Sequence, residues 1–175
     1  NRLEFNDPRR FGRFLVVKRG EYGALPTLAA LGPEPLDAEL TAEGFHAALR
    51  RSRVAVKTYL LSQKPVAGLG NIYVDEALWR SRLHPLEPAH FVPAGSMELL
   101  HRSIRDVLAE SIEAEGTTLS DYRTVGGSDG TFQARLQANG RSGEPCLRCG
   151  STMERLVIGG RSTHYCPRCQ PLQAR

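Results

Sequence analysis

The sequence predicts a mainly α-helical chain that closes on a small β-rich segment. Three observations carry that expectation. A twenty-residue amphipathic pattern runs from Ser96 to Glu115. Helix-start signals stand ahead of shorter apolar patterns between residues 41 and 80. Four cysteines fall in two C-x2-C pairs with a strand–turn–strand pattern between them. Composition agrees with a folded chain: of 175 residues, 41% are hydrophobic and 24% charged. No apolar run approaches the ~18–20 residues of a membrane helix, and no basic-then-apolar leader opens the chain. The length allows one ordinary domain or two small ones.

Taken in order, the first thirty residues read as a turn at Asn6-Asp7-Pro8 followed by a strand at Phe14-Leu15-Val16-Val17. Thirty residues bury too little surface to make a core alone. Leu31-Gly-Pro-Glu-Pro-Leu36 is the best candidate linker, because proline and glycine break both periodic structures. Thr41 can cap a helix running to about Arg51, with Phe45, Ala48 and Leu49 on one face. Val56 to Ser62 can form a short helix. Asn71 can cap another, from Ile72 to about Arg80, with Asp75 and Glu76 near its positive end and Pro85 soon after it. The long helix places Met97, Leu100, Ile104, Val107, Leu108 and Ile112 on one stripe, and Gly116 can end it. Gly126-Gly-Ser-Asp-Gly130 reads as a loop, and the texture changes to short strands and cysteines near residue 135.

Charge is strongly patterned beneath a net of +4. Residues 1–20, 46–85 and 135–175 carry a net of +4, +5 and +5; residues 21–45 and 86–134 each carry −5. Distant basic blocks of this kind can assemble one cationic face that attracts a polyanion. The plainer reading is solvation of separate surfaces. Twenty of the 23 basic residues are Arg, whose planar fork suits phosphate.

Cys146, Cys149, Cys166 and Cys169 form C-x2-C, sixteen residues, C-x2-C, a spacing that suits a four-cysteine zinc site. Each knuckle can aim two sulfurs at one point, so two knuckles complete a tetrahedron, and a site closed by four protein ligands is structural. Two disulfides are the alternative. Between the knuckles, Arg155–Ile158, Gly159-Gly160 and Arg161–Tyr165 read as a β-hairpin with Arg161 at its turn, within reach of a phosphate, and His164 as structural. Gln63 to Tyr73 is a glycine-rich turn entering a helix; it exposes backbone N–H groups to an anion, or simply allows close packing through Gly68 and Gly70. Asn6-Asp-Pro-Arg-Arg-Phe-Gly12 sets two arginines and a ring in one turn, a combination that can grip phosphate or wedge into a base step.

Together these segments resemble the formamidopyrimidine-DNA glycosylase family. The matching pieces are Asp7–Gly12, Leu31–Leu36, Gln63–Glu76, Gly116–Leu119, Gly140–Cys146 and Gly160–Gln170, in order along the chain. The resemblance implies residues 1–30 as the tail of an N-terminal β-sandwich domain, 31–134 as a helix-two-turn-helix DNA-binding domain with a lesion-covering loop at 123–134, and 135–175 as a zinc finger holding one structural Zn2+. It implies a bifunctional glycosylase and abasic-site lyase that excises 8-oxoguanine and formamidopyrimidines from duplex DNA. Arg9 and Phe11 match the pair that fills the gap left by a flipped base, with Arg10 binding DNA beside them. Arg53 and Lys57 match positions facing the DNA backbone, Asn71 a phosphate-gripping asparagine, and Arg161 a phosphate-holding arginine that is also the proton donor in the final δ-elimination. The Gly126–Gln133 loop matches the loop that closes over the extruded base, which favours oxidised purines over the endonuclease VIII branch. The resemblance further implies a monomer, located with the nucleoid in a bacterial cytoplasm. One departure stands out. Family members carry a catalytic N-terminal proline followed by glutamate, and a further lysine from the same sandwich. Asn1 cannot serve as that proline, so the chain is expected to match the C-terminal two-thirds of the enzyme and to be inactive alone in base excision. A non-enzymatic, zinc-containing DNA-binding module is the competing expectation.

Overall fold

The computed structural model describes residues 4–5, 14–21, 23, 25–117 and 129–173. The chain divides into two compact units, Asn1–Ala30 and Leu31–Arg175. In the first, helix α1 (Pro26–Ala29) starts on a proline, whose missing N–H and fixed φ suit a first turn. Phe14–Val17, expected as a strand, has no ladder partner among the described residues, and Phe14, Leu15 and Val16 are exposed. A β-rich segment becomes a strand only when a neighbour pairs with it.

Among its described residues the second unit is mainly helical, with one two-stranded sheet. Leu31–Leu36 is no loose linker. Its Gly32 amide donates to the Gln63 carbonyl and its Pro33 carbonyl accepts from the Ala67 amide, so the segment docks on the glycine-rich turn. Helix α2 (Ala42–Arg50) begins where Thr41 accepts from the Gly44 amide at 3.1 Å. Helix α3 (Val56–Leu61) and helix α4 (Asn71–Arg80) follow, then a 3-10 turn (Ala89–Phe91) and helix α5 (Ala94–Glu113). Phe45, Leu49, Leu60, Leu78, Leu100 and Ile104 are among the fully buried residues of their shared core. The α5 stripe holds except at its end, where Ile112 is 64% exposed. Among the described residues no helix is long and apolar enough to cross a membrane.

After α5, Thr117 and Thr131 come together. Thr131 donates its amide to Ala114 and bridges Thr117, and Phe132 is buried against Val107 and Ala114. A side chain at Gly130 would meet the Gly116 carbonyl oxygen, so only glycine fits this crossing. Strands β1 (Glu154–Ile158) and β2 (Arg161–Tyr165) then pair antiparallel, with Ile158 opposite Arg161. Gly159 and Gly160 both have positive φ, as a two-residue hairpin turn of matching twist requires.

Candidate nucleic-acid interface and metal centre

The metal centre is built from two turns. In the first, the Cys146 carbonyl accepts from the Gly150 amide and the Cys146 amide donates to Ser151. In the second, the Cys166 carbonyl accepts from the Gln170 amide while the Gln170 side chain accepts from the Cys166 amide. Gln170 is fully buried and its amide nitrogen donates to the Leu83 carbonyl, tying the knuckle to the loop after α4. The four sulfurs lie within 4.8 Å of one another, and Cys149 Sγ is 3.5 Å from Cys166 Sγ. A tetrahedral zinc with ~2.3 Å bonds sets sulfurs about 3.8 Å apart, so the cluster fits one zinc ion. All four cysteines are free, so the disulfide alternative falls. The thiols' acidities agree. Hydrogen bonds from the Ser151 hydroxyl and amide draw Cys149 down to about 6. Burial and its sulfur neighbours push Cys169 up to about 12, and burial also raises Cys166. Burial raises Cys146, but amide hydrogen bonds outweigh it and hold this thiol too below its ordinary value. The first knuckle's thiols are thus held low and the second's high, and a cation among the sulfurs would favour the thiolate in all four.

The zinc region has little apolar core of its own and borrows from α4. Trp79, the chain's single tryptophan, packs on Cys146, Cys166, Ala138 and Met153. Arg148 stacks on the Trp79 ring at 4.0 Å and donates to the Trp79 carbonyl. Glu76 is fully buried, and its carboxylate accepts from the amides of Gln137, Ala138 and Asn139 at 2.8–2.9 Å. Burial pushes its carboxyl up; those three amides pull it back. Asp75 lies beside it. One oxygen accepts from Lys57 Nζ at 2.5 Å, and the other from Asn139 Nδ2 and from the amide and ring of His164.

That network locates the predicted interface residues. Asn71 does not cap α4. Gly70 is the N-cap, with extended backbone angles, and Asn71 is the first helical residue. Its side chain therefore points away from its own helix end, and Nδ2 donates to the Ser162 carbonyl at 2.9 Å. Lys57 donates to the same carbonyl at 3.0 Å. Ser162 follows Arg161, so the helix start and the hairpin turn are held together through one carbonyl. Arg161 itself is exposed, and a Cβ at Gly70 would meet nothing within 4 Å, so the helix start is open to an incoming group. Arg53 is exposed in the turn before α3. Lys57, expected to face outward, is instead fully buried, and burial lowers its ammonium's pKa despite the Asp75 carboxylate. Arg9, Arg10 and Phe11 lie outside the described residues, as do residues 123–128 of the predicted loop; of that loop, Phe132 is buried. Sequence reasoning missed Asp75, Glu76 and Asn139. Acidic residues near a helix start read as dipole partners, and only the fold brings residues 137–139 and 164 to them.

Comparison with known proteins gives concordant matches. A family model described as the formamidopyrimidine-DNA glycosylase H2TH domain matches residues 31–123, and one described as a zinc finger found in FPG and IleRS matches 143–172. Formamidopyrimidine-DNA glycosylase of Deinococcus radiodurans is 47% identical over 98% of this chain and 62% of its own length. The Thermus thermophilus protein of the same name is 49% identical over 96% of this chain and 64% of its own. The crystal structure of MutM (Fpg) from Thermus thermophilus superposes with a TM-score of 0.91, at 48% identity, over 96% of this chain and 64% of that one. A Lactococcus lactis FPG mutant bound to Fapy-dG DNA matches at TM-score 0.79 and 39% identity, over 86% of this chain and 56% of that one. The chain thus spans less than two-thirds of the length of these relatives.

Proposed function

The chain belongs to the formamidopyrimidine-DNA glycosylase family, and we propose that it forms the duplex-gripping part of a base-excision repair enzyme that releases oxidised purines and cleaves abasic sites. The observation that carries this reading is the joint anchoring of Asn71 and Lys57 on the Ser162 carbonyl. It fixes an exposed arginine at a hairpin turn beside an open helix N-terminus. Such a pair suits adjacent backbone phosphates: the helix end offers N–H groups and positive potential, and the arginine a planar fork. The relatives' DNA, which carries Fapy-dG, an abasic site or an 8-oxo-G analogue, supports duplex with a damaged purine as the substrate.

Residues 1–30 then form the tail of a β-sandwich domain, 31–134 the helix-two-turn-helix domain and 135–175 the zinc finger. Arg9 and Phe11 fill the space of the extruded base, Arg10 binds DNA beside them, Arg53 faces the backbone, and residues 123–134 cover the base. Lys57 acts from inside, by holding Ser162. Arg161 is the catalytic residue assigned here. Its guanidinium grips the phosphate that leaves in δ-elimination and serves as the proton donor of that step. We assign no nucleophile among these 175 residues. Duplex binding would place the protein with the nucleoid in the cytoplasm.

Arg161→Ala tests the reading. On a duplex with a stable abasic-site analogue, affinity should fall and the slope of log K against log salt should weaken by about one phosphate contact, roughly 0.9. An unchanged slope would make the hairpin turn a bystander and sink the assignment. Borohydride trapping with the whole protein on abasic-site DNA separates the two function classes: a covalent adduct supports the enzyme, and its absence leaves a DNA-binding module.

A further inference from the structure

Three arginines from separate stretches meet at the far end of the zinc region. Arg82 follows α4, Arg148 sits in the first knuckle and Arg168 in the second. With Cys149, Cys169 and Pro171 they line an open cleft of about 510 Å3. None of the lining residues is acidic, and among the described residues no ion pair involves any of the three arginines. Arg148 is pinned over Trp79 by its ring contact and its bond to the Trp79 carbonyl. Arg82 and Arg168 are exposed. Arg82 also occupies a left-handed backbone position, φ 57°, where α4 ends with the Leu83 amide on the Leu78 carbonyl. Glycine is the unstrained residue for that position, so an arginine there costs stability that its backbone role does not return.

The charges favour one ligand. Four thiolates around Zn2+ leave a centre of net −2. Three guanidiniums beside it leave one positive charge over, in a cleft open to solvent. A phosphodiester carries one negative charge and presents two free oxygens, matching that excess and the arginine fork. A free phosphate dianion matches it less well, and an open cleft holds a small anion weakly. A phosphate on a duplex already held elsewhere arrives with the high effective concentration of an intramolecular partner.

We propose that the Arg82–Arg148–Arg168 cleft binds a backbone phosphodiester of the DNA, outside the phosphates held by Arg161 and Asn71. This rests on the duplex-binding reading above. Strand β2 separates Arg161 from Cys166, where the second knuckle starts, by five residue steps, about 17 Å at ~3.4 Å per residue. The phosphate concerned therefore lies roughly five base-pair steps or more from the Arg161 contact, given about 3.4 Å of helix axis per phosphate on one strand.

The test uses the zinc-loaded chain and a duplex of about 20 base pairs with a central abasic-site analogue, with single phosphates replaced by uncharged methylphosphonates. The variants are Arg82→Gly, which removes the guanidinium while relaxing the backbone, and Arg82→Gly combined with Arg168→Ala. Metal analysis should return one zinc per chain for each. The double variant should bind about three- to tenfold more weakly near physiological salt, with a salt slope reduced by about one contact. Neutralising one outer phosphate should cost the wild type a similar factor and the double variant nothing. Wild-type slope and wild-type sensitivity in the double variant would overturn the site, provided Arg161→Ala still weakens binding. If Arg161→Ala also changes nothing, the duplex-binding reading falls with it. Thermal stabilisation of the wild type alone by inorganic phosphate, with no change on DNA, would overturn the phosphodiester assignment.

Discussion

The helical region and the hairpin region hang on opposite faces of the same helix and are held by different physics. Toward the helices, α4 presents Val74, Ala77 and Leu78, all buried in a shared apolar core. Toward the hairpin it presents Asp75, Glu76 and Trp79, and what it meets there is backbone amides, a lysine, a histidine and cysteine sulfurs. The helical region excludes water from carbon. The hairpin region satisfies buried charge and binds a metal. The first kind of stability tolerates rearrangement among apolar partners, whereas the second depends on each donor and acceptor being in place. Precision is the gain, since a hairpin fixed by directional bonds holds Arg161 in one position against the start of α4.

Removing zinc should divide the two regions most sharply. Zinc supplies roughly 10–16 kcal/mol to small sites of this kind, far more than the borrowed apolar contacts can replace. A strong chelator should unfold the hairpin region, shift the emission of Trp79, which packs on Cys146 and Cys166, and weaken duplex binding. The helical region should persist, because Lys57, Asp75 and Glu76 regain water when their partners leave. Far-UV circular dichroism should therefore retain most of its helical signal. Complete loss of helix on chelation would mean that the two regions share one stability and would break the comparison.

The next largest effect should come from Asp75→Ala. It strands a fully buried ammonium and removes the acceptor for Asn139 and His164. Breaking one side of a buried pair costs about 3–5 kcal/mol. Replacing both partners, Lys57→Met with Asp75→Leu, should cost less than Asp75→Ala alone in urea unfolding of the zinc-bound chain. If the double replacement costs the sum of the two singles, the charges do not act as a pair. Burial lowers the Lys57 pKa, so this group opposes folding wherever it is protonated in the unfolded chain. That cost should fade as pH rises toward its ordinary value of 10.5.

Much of this organisation was legible in the sequence, for identifiable reasons. Thr41, the α5 stripe, the Gly159-Gly160 turn and the cysteine spacing are local signals, and each produced the element it predicts. The errors are all non-local. Asn71 looks like a cap because its type fits one, yet Gly70 takes that position and frees Asn71 for Ser162, 91 residues away. Lys57 looks like a surface cation because lysine is almost never fully buried without a partner, and its partner becomes visible only when α3 packs beside α4. Phe14–Val17 has strand composition but no described strand beside it. The cleft arginines carry no local pattern at all, since three turns must fold before they meet.

The smallest effect belongs to a salt bridge wholly within the helical region. Arg80 and Glu110 join α4 to α5 by two bonds of 2.6 and 2.7 Å. Both side chains keep some exposure, 18% and 35%, so the pair is worth about 1 kcal/mol or less. The hydrogen bonds from Arg80 hold the Glu110 carboxyl below its ordinary value of 4.5. A depressed carboxylate stabilises the fold above its unfolded pKa and stops doing so as pH falls through the folded one. The stability gap between wild type and Glu110→Gln should thus be constant from neutral pH down to about 5, shrink below 4.5, and narrow in high salt. Zinc affinity should not change, because neither residue touches the hairpin region. A Glu110→Gln variant that lost zinc would mean that strain in the helical core reaches the metal through α4, and the two faces of that helix would then have to be treated as one.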